Sequence, residues 1–151
     1  MVIAPAYELV DAALISKWTE YVEQGGNLVL TLRTGVKDRN GHIFSSGWGE
    51  KIYPLIDATI ENFDQLLPNG KGTINGFNKE YDWNNWADLV SANNSENILA
   101  SYTNQFYAGK SAVVSHKMGK GSITYIGVDT DEGALEKDVL RNVYTNLFTR
   151  K

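Results

Sequence analysis

Apolar and polar positions change their period along this chain, and the changes mark its elements. Val2-Ile3-Ala4 is a short apolar run closed by Pro5, the pattern of a strand buried in a parallel sheet. Leu14, Ile15, Trp18, Tyr21 and Val22 then recur at helical spacing and predict a helix over 11–24. Asp11 stands where its carboxylate can accept first-turn amides, and Gly25-Gly26 supplies the left-handed residue past the end. Asn27 to Leu32 returns to a continuous apolar run. Strand, helix and strand within ~30 residues predict a βαβ unit with parallel strands.

Beyond it the pattern loosens. Residues 33–50 carry Thr34-Gly35, Asp38, Asn40-Gly41 and Ser45-Ser46-Gly47, and predict a long loop. Lys51 to Ile56 can form a short helix that Pro54 limits, and Ala58 to Phe63 alternates weakly as a strand. After the Pro68-Asn69-Gly70 turn, residues 71–95 are polar and rich in Asn, which predicts irregular strands. Three β-runs follow at 98–102, 112–117 and 122–128, the last two joined by Met118-Gly119-Lys120-Gly121. Leu135, Val139, Leu140, Val143, Tyr144 and Leu147 form the stripe of a final helix over 131–148. The whole predicts an α/β fold with a mixed sheet. Strands 2–4 and 27–32 are parallel, hairpins from 98 to 128 complete the sheet, and helices cover it.

With 151 residues, the chain fits one domain spanning 1–151. There are no cysteines, which excludes a disulfide framework, a thiolate metal site and a cysteine nucleophile. The net charge is −4 without a block of like charges, so no nucleic-acid grip is expected. No apolar run reaches the ~18 residues of a membrane span. The N-terminus shows no signal-peptide pattern, and with the missing cysteines this points to a cytoplasmic setting. Opening directly on a strand suggests a chain cut from something longer.

Candidate chemistry is sparse. Gly109-Lys110-Ser111 ends like a phosphate-binding loop, but Asn104 stands where the motif needs its first Gly, and a strand follows where a helix is required. His42 and His116 are the only histidines and lack zinc-ligand spacing, so both read as surface imidazoles. Asp129, Asp131 and Glu132 cluster where the last strand meets the last helix, and capping is the favoured reading over a site. Glu61 and Asp64 have no acid partner. Neither a catalytic group, a metal site nor a cofactor site is expected. Tyr81, Trp83 and Trp86 lie among Glu80, Asp82, Asn84 and Asn85. They can stack on a sugar, or they can be core or interface aromatics. Asn93-Asn94-Ser95 is a glycosylation sequon with no other sign of secretion.

A resemblance adds what the chemistry lacks. Val2-Ile3-Ala4-Pro5-Ala6, the helix closing on Gly25-Gly26, and the run from Leu28 to Asn40 (Leu-Val-Leu-Thr-Leu-Arg-Thr-Gly-Val-Lys-Asp-Arg-Asn) are similar to the middle domain of glycoside hydrolase family 42 β-galactosidases. Phe106-Tyr107-Ala108-Gly109-Lys110-Ser111-Ala112-Val113, Gly119-Lys120-Gly121 and Tyr125-Ile126-Gly127 agree in the same order, and the likeness is weakest over 64–95. The resemblance implies a flavodoxin-like, class I glutamine amidotransferase-like three-layer sandwich. It implies a domain between a catalytic (β/α)₈ barrel and a small β-domain, serving trimerisation, with the catalytic glutamates on the barrel. Two departures stand out. The family has further strand–helix units before the position of Val2, which implies truncation at the N-terminus. The family's Gly-Gly-aromatic-Pro-Gly-Pro loop is reduced to Ser46-Gly47-Trp48-Gly49-Glu50-Lys51.

The expected function is therefore a non-catalytic oligomerisation and scaffold domain of a β-galactosidase that hydrolyses terminal β-galactosides. Expected partners are further copies, as dimer or trimer, and the parent's barrel. Arg33, Asp38, Asn40, Phe44 and Trp48 are the candidate interface or neighbouring-active-site residues. The alternative is a stand-alone sugar-binding module using Tyr81, Trp83 and Trp86. An amidotransferase-like hydrolase ranks last, because its nucleophile is missing.

Overall fold

Asp11 caps the first helix: its Oδ1 accepts the Leu14 amide at 2.7 Å, and α1 runs Ala12–Glu23 with Trp18 and Val22 buried. The structure, a computed structural model, describes residues 1–148. Gly25 follows α1 at a φ of 115° and turns the chain back into the sheet. On either side of α1 lie β1 (Val2–Ala4) and β2 (Asn27–Thr31), parallel, with Val2 opposite Leu28.

The loop over 33–50 is present, and a 3₁₀ turn at Glu50–Ile52 leads into α2 (Tyr53–Ile56), with Pro54 in its first turn. Then come β3 (Ala58–Asp64), β4 (Gly72–Gly76), β5 (Lys79–Ala92) and β6 (Ile98–Tyr102). They are followed by β7 (Ser111–Met118), β8 (Gly121–Ile126), β9 (Val128–Thr130) and α3 (Ala134–Phe148). Among the described residues these strands form one nine-stranded sheet in the order β1-β2-β8-β7-β6-β4-β5-β3, with β9 on β5. β8 is parallel to β2 and antiparallel to β7, so the sheet is mixed.

Strand alternation divides the core in two. Leu28 and Leu30 of β2 pack with Trp18, Val22, Leu55 and Ile56, on the face that α1 and α2 cover. Val29 between them packs with Leu135, Val139 and Val143, on the face that α3 covers.

Three expectations need correction. Residues 71–95 do not form irregular strands but a regular hairpin, β4–β5, with Gly76 opposite Lys79. Its two-residue turn is Phe77-Asn78, both at positive φ (51° and 58°), where Asn-Gly is the usual choice. Phe77 tolerates this because its ring packs on the α3-side core. β5 then extends over 14 residues because it changes partners, from β4 in its first half to β3 in its second. The run at 122–128 is not one strand. It breaks at Gly127, whose missing Cβ admits the carbonyls of Ala112 and Asp88 at 3.2 Å from the Cβ position, and β9 peels off onto β5. The last helix starts at Ala134 rather than 131, after a 3₁₀ turn with Glu132 at φ 56°. From before that turn, the Thr130 hydroxyl oxygen accepts the Leu135 amide of the helix's first turn. Glu136 accepts the Thr130 amide and hydroxyl, Asp129 accepts the Asn85 side-chain amide, and Asp131 and Glu132 lie in the 3₁₀ turn that leads into α3.

Candidate functional site

The end of the sheet where β2 leaves the core holds the most unusual chemistry. Past Thr31 the chain turns sharply. The Thr34 hydroxyl donates to the Thr31 carbonyl at 2.6 Å, and Arg33 sits at φ 64°. Arg33 Nη2 meets Glu8 Oε1 at 2.6 Å, and Lys37 Nζ meets Glu8 Oε2 at 2.6 Å. The Lys37 bond, with help from the charges of both cations, holds the Glu8 carboxyl below its ordinary range against the opposing pull of desolvation. The Arg33 guanidinium lies 5.0 Å from the centre of the Trp86 ring.

Under that guanidinium lies an aromatic cluster. Phe63 stacks on Trp86 at 4.7 Å and 11°, and Trp48 contacts Phe63 at 4.7 Å and Trp86 at 5.9 Å. Trp48 and Trp86 are half-buried and Phe63 is 42% exposed. A bulge brings Phe63 here. The register slips between Ile60 and Asn62, so that Phe63 comes opposite Asp88.

Asp88 anchors the cluster. It is 0% exposed. Its Oδ1 accepts the Trp86 indole N–H at 3.0 Å, and its Oδ2 accepts the Tyr125 hydroxyl at 2.5 Å and the Arg33 amide at 3.1 Å. Burial pushes the Asp88 carboxyl up, and these three donors pull it partly back. The Trp48 indole N–H adds a weaker pull without hydrogen-bond geometry; it is buried with no hydrogen-bond partner. The phenols of Tyr102 and Tyr125 are pushed far up, by burial first and by Asp88 second.

The other loop candidates form a second group. Asp38 Oδ1 accepts the amides of Asn40 and His42 at 2.8 and 2.9 Å, and these backbone donors keep its carboxyl low. Arg39 Nε meets Asp11 Oδ2 at 2.7 Å, and Phe44 carries Lys51 at 5.3 Å from its ring centre. With Val10 and Ile15 they line a mainly apolar hollow of about 650 Å³ beside the start of α1. Of the five loop candidates, Arg33 and Trp48 thus converge on Trp86, whereas Asp38, Asn40 and Phe44 line the hollow.

The sugar platform does not assemble. Tyr81 and Trp83 face the α3 side, where Trp83 is 1% exposed, lies edge-on to Tyr102 and fits under Gly72. The Tyr81 hydroxyl donates to Asp138. Trp86, an odd number of residues further on, faces the opposite side and is stacked against Phe63. The sequence reading passed over Phe63 and Asp88, and only the parity of 81, 83 and 86 signalled the split.

The remaining candidates serve the fold. Lys110 reaches Glu61 and Ser91 rather than a phosphate, and β7 begins at Ser111. Tyr107 donates to Asp64 at 2.6 Å. His116 is not a free surface imidazole: its Nε2 lies 2.7 Å from the Leu55 carbonyl. His42 is exposed beside Asp38. Asn93 donates to Asp57, and Asn94 caps a 3₁₀ turn. Among the described residues, no three metal-binding side chains gather, and no helix is long and apolar enough to cross a membrane.

Comparison with known proteins gives these features a family. A β-galactosidase of Lactobacillus acidophilus is 31% identical over 135 residues, which cover 89% of this chain and 20% of that protein. A β-galactosidase of Bacillus subtilis is 24% identical over 149 residues, covering 99% and 21%. The chain thus spans about a fifth of the length of the curated relatives it matches. Among solved structures, a catalytic mutant of a family 42 β-galactosidase from G. stearothermophilus superposes with a TM-score of 0.87 at 26% identity, over 96% of this chain and 21% of that one. The β-galactosidase of the haloarchaeon Halorubrum lacusprofundi gives 0.82 at 27%, over 94% and 22%. The sequence profile of the β-galactosidase trimerisation domain matches residues 1–151 throughout, and the chain belongs to that family, the non-catalytic assembly module of family 42 β-galactosidases.

Proposed function

We propose that this chain is a single assembly unit that joins its own kind into a trimer, through the surface built by Arg33, Trp48, Phe63 and Trp86. The carrying observation is the partly exposed Phe63–Trp86 stack under the Arg33 guanidinium. Interface cores are enriched in aromatic residues and arginine, the composition found here. A closed three-fold ring needs two different patches on each copy. The hollow lined by Asp38, Asn40 and Phe44 supplies the second. In a longer parent chain the covalent neighbour is a catalytic barrel and the substrates are terminal β-galactosides. Sedimentation equilibrium at micromolar concentration tests the reading. A mass near three times 16.8 kDa is expected, and a mass that stays at 16.8 kDa across concentrations refutes it.

A further inference from the structure

Building on that self-association surface, we propose that Asp88 is its positioning residue: the buried carboxylate sets the arrangement of Arg33, Trp86 and Trp48, and so couples the shape of the surface to pH. Asp88 is itself held from both sides of its backbone. Its amide donates to the Gly127 carbonyl at 2.6 Å, and its carbonyl accepts the Tyr102 hydroxyl at 3.0 Å. The carboxylate reaches three donors on three segments: the Trp86 indole on β5, the Tyr125 hydroxyl on β8 and the Arg33 amide past β2. None is a cation. The Arg33 guanidinium and Lys37 are both committed to Glu8.

The facing groups are Arg33, Tyr125, Tyr102 from β6 and Tyr53 from α2. Burial raises all three phenols, so they stay neutral and Asp88 is the group that titrates. An ionised carboxylate accepts from all three donors, whereas a carboxylic acid turns one oxygen into a donor. Of the three partners only the Tyr125 hydroxyl, 2.5 Å from Oδ2, can accept that proton. Acid therefore reverses the Tyr125 bond and takes the carboxylate's charge out of the Trp86 and Arg33 contacts that fix the surface, which weakens both. Arg33 is poised to move when this happens. A non-glycine residue at φ 64° persists only while its surroundings hold it, and the bond to Asp88 is one such hold.

The test uses the full chain and the NMR signal of the Trp86 indole N–H, assigned with Trp86→Phe. In Asp88→Asn the amide offers one acceptor oxygen where three donors converge. The Trp86 signal is expected to shift, its hydrogen exchange to quicken by about tenfold or more, and association to weaken by about tenfold. In the native chain the same signal is expected to titrate, with a midpoint above the value of about 3.9 of an exposed aspartate. An unchanged Trp86 signal in Asp88→Asn overturns the positioning role, whatever the chain's mass. A changed signal with unchanged association overturns the coupling to assembly. A native chain that stays monomeric refutes the self-association reading instead, while the Trp86 signal still decides the role of Asp88. If Asp88→Asn does not fold, the native titration decides, and a Trp86 signal flat in pH overturns the proposal.

Discussion

Trp83 and Trp86 lie three residues apart on β5 and have opposite roles. Trp83 points into the α3-side core, edge-on to Tyr102 at 5.9 Å, its indole nitrogen buried without a hydrogen-bond partner. Trp86 points to the other face, where its indole is bonded to Asp88 and its ring is layered between surface groups. One indole therefore contributes through volume and the other through placement. The strand's two-residue period makes the difference, since residues an odd number apart face opposite sides. A segment rich in aromatics is thus two half-sites back to back rather than one platform.

Breaking each half should give distinct effects. Trp83→Ala is expected to cost about 3–5 kcal/mol of stability, as truncation of a buried aromatic does, read by denaturant unfolding. Gly72→Ala probes the same pocket from the other wall, because an added Cβ would sit 2.2 Å from Trp83 Nε1. A cost of about 1–3 kcal/mol is expected from that overpacking. Trp86→Ala is expected to cost less than Trp83→Ala in the unfolding curve, because its ring is only half-buried, yet to reduce association more. Equal losses from the two tryptophans would erase the distinction drawn between the faces.

Acid sharpens the comparison with a smaller effect. Asp138, on the α3 side, has its carboxyl lowered first by the Lys79 bond and then by the Tyr81 hydroxyl. Its contribution to stability is present above the unfolded value of about 3.9 and is lost as pH falls through the folded value. Asp88 has the opposite sign. Its carboxyl is raised by burial, so its contribution is present below the unfolded value and is lost as pH rises through the folded one. Asp138→Asn should therefore flatten the acid limb of the stability curve, and Asp88→Asn should flatten the limb above it. Urea midpoints measured across pH check both signs.

Much of the frame was legible because single residues carried it. Asp11 marked the start of α1, Gly25 its end, and the apolar runs of β2 and β8 their burial, whereas the apolar run of β1 misled: β1 is an edge strand, and its Val2 and Ile3 are exposed. The β4–β5 hairpin was hidden by its turn, since Phe77-Asn78 adopts a conformation that sequence usually signals with glycine. The site was legible only in its outer residues. Arg33 and Trp48 were singled out, but Phe63 enters through a bulge that shifts the register by one, and strand register is not written in composition. Asp88 stands between Ala87 and Leu89 in a segment that reads as polar overall, and nothing local signals its role. Its burial depends on Tyr125 and Arg33, each more than thirty residues away in sequence.

Phe63→Asp tests the central claim most directly. The residue sits on the edge strand β3 and is 42% exposed, so a charge there leaves both cores untouched while entering the middle of the aromatic surface. Sedimentation equilibrium of the native chain and of Phe63→Asp at equal concentration is the decisive measurement. The account expects a mass near three times 16.8 kDa for the native chain and a folded 16.8 kDa species for the variant. A folded Phe63→Asp chain with the same mass as an associated native chain would contradict it.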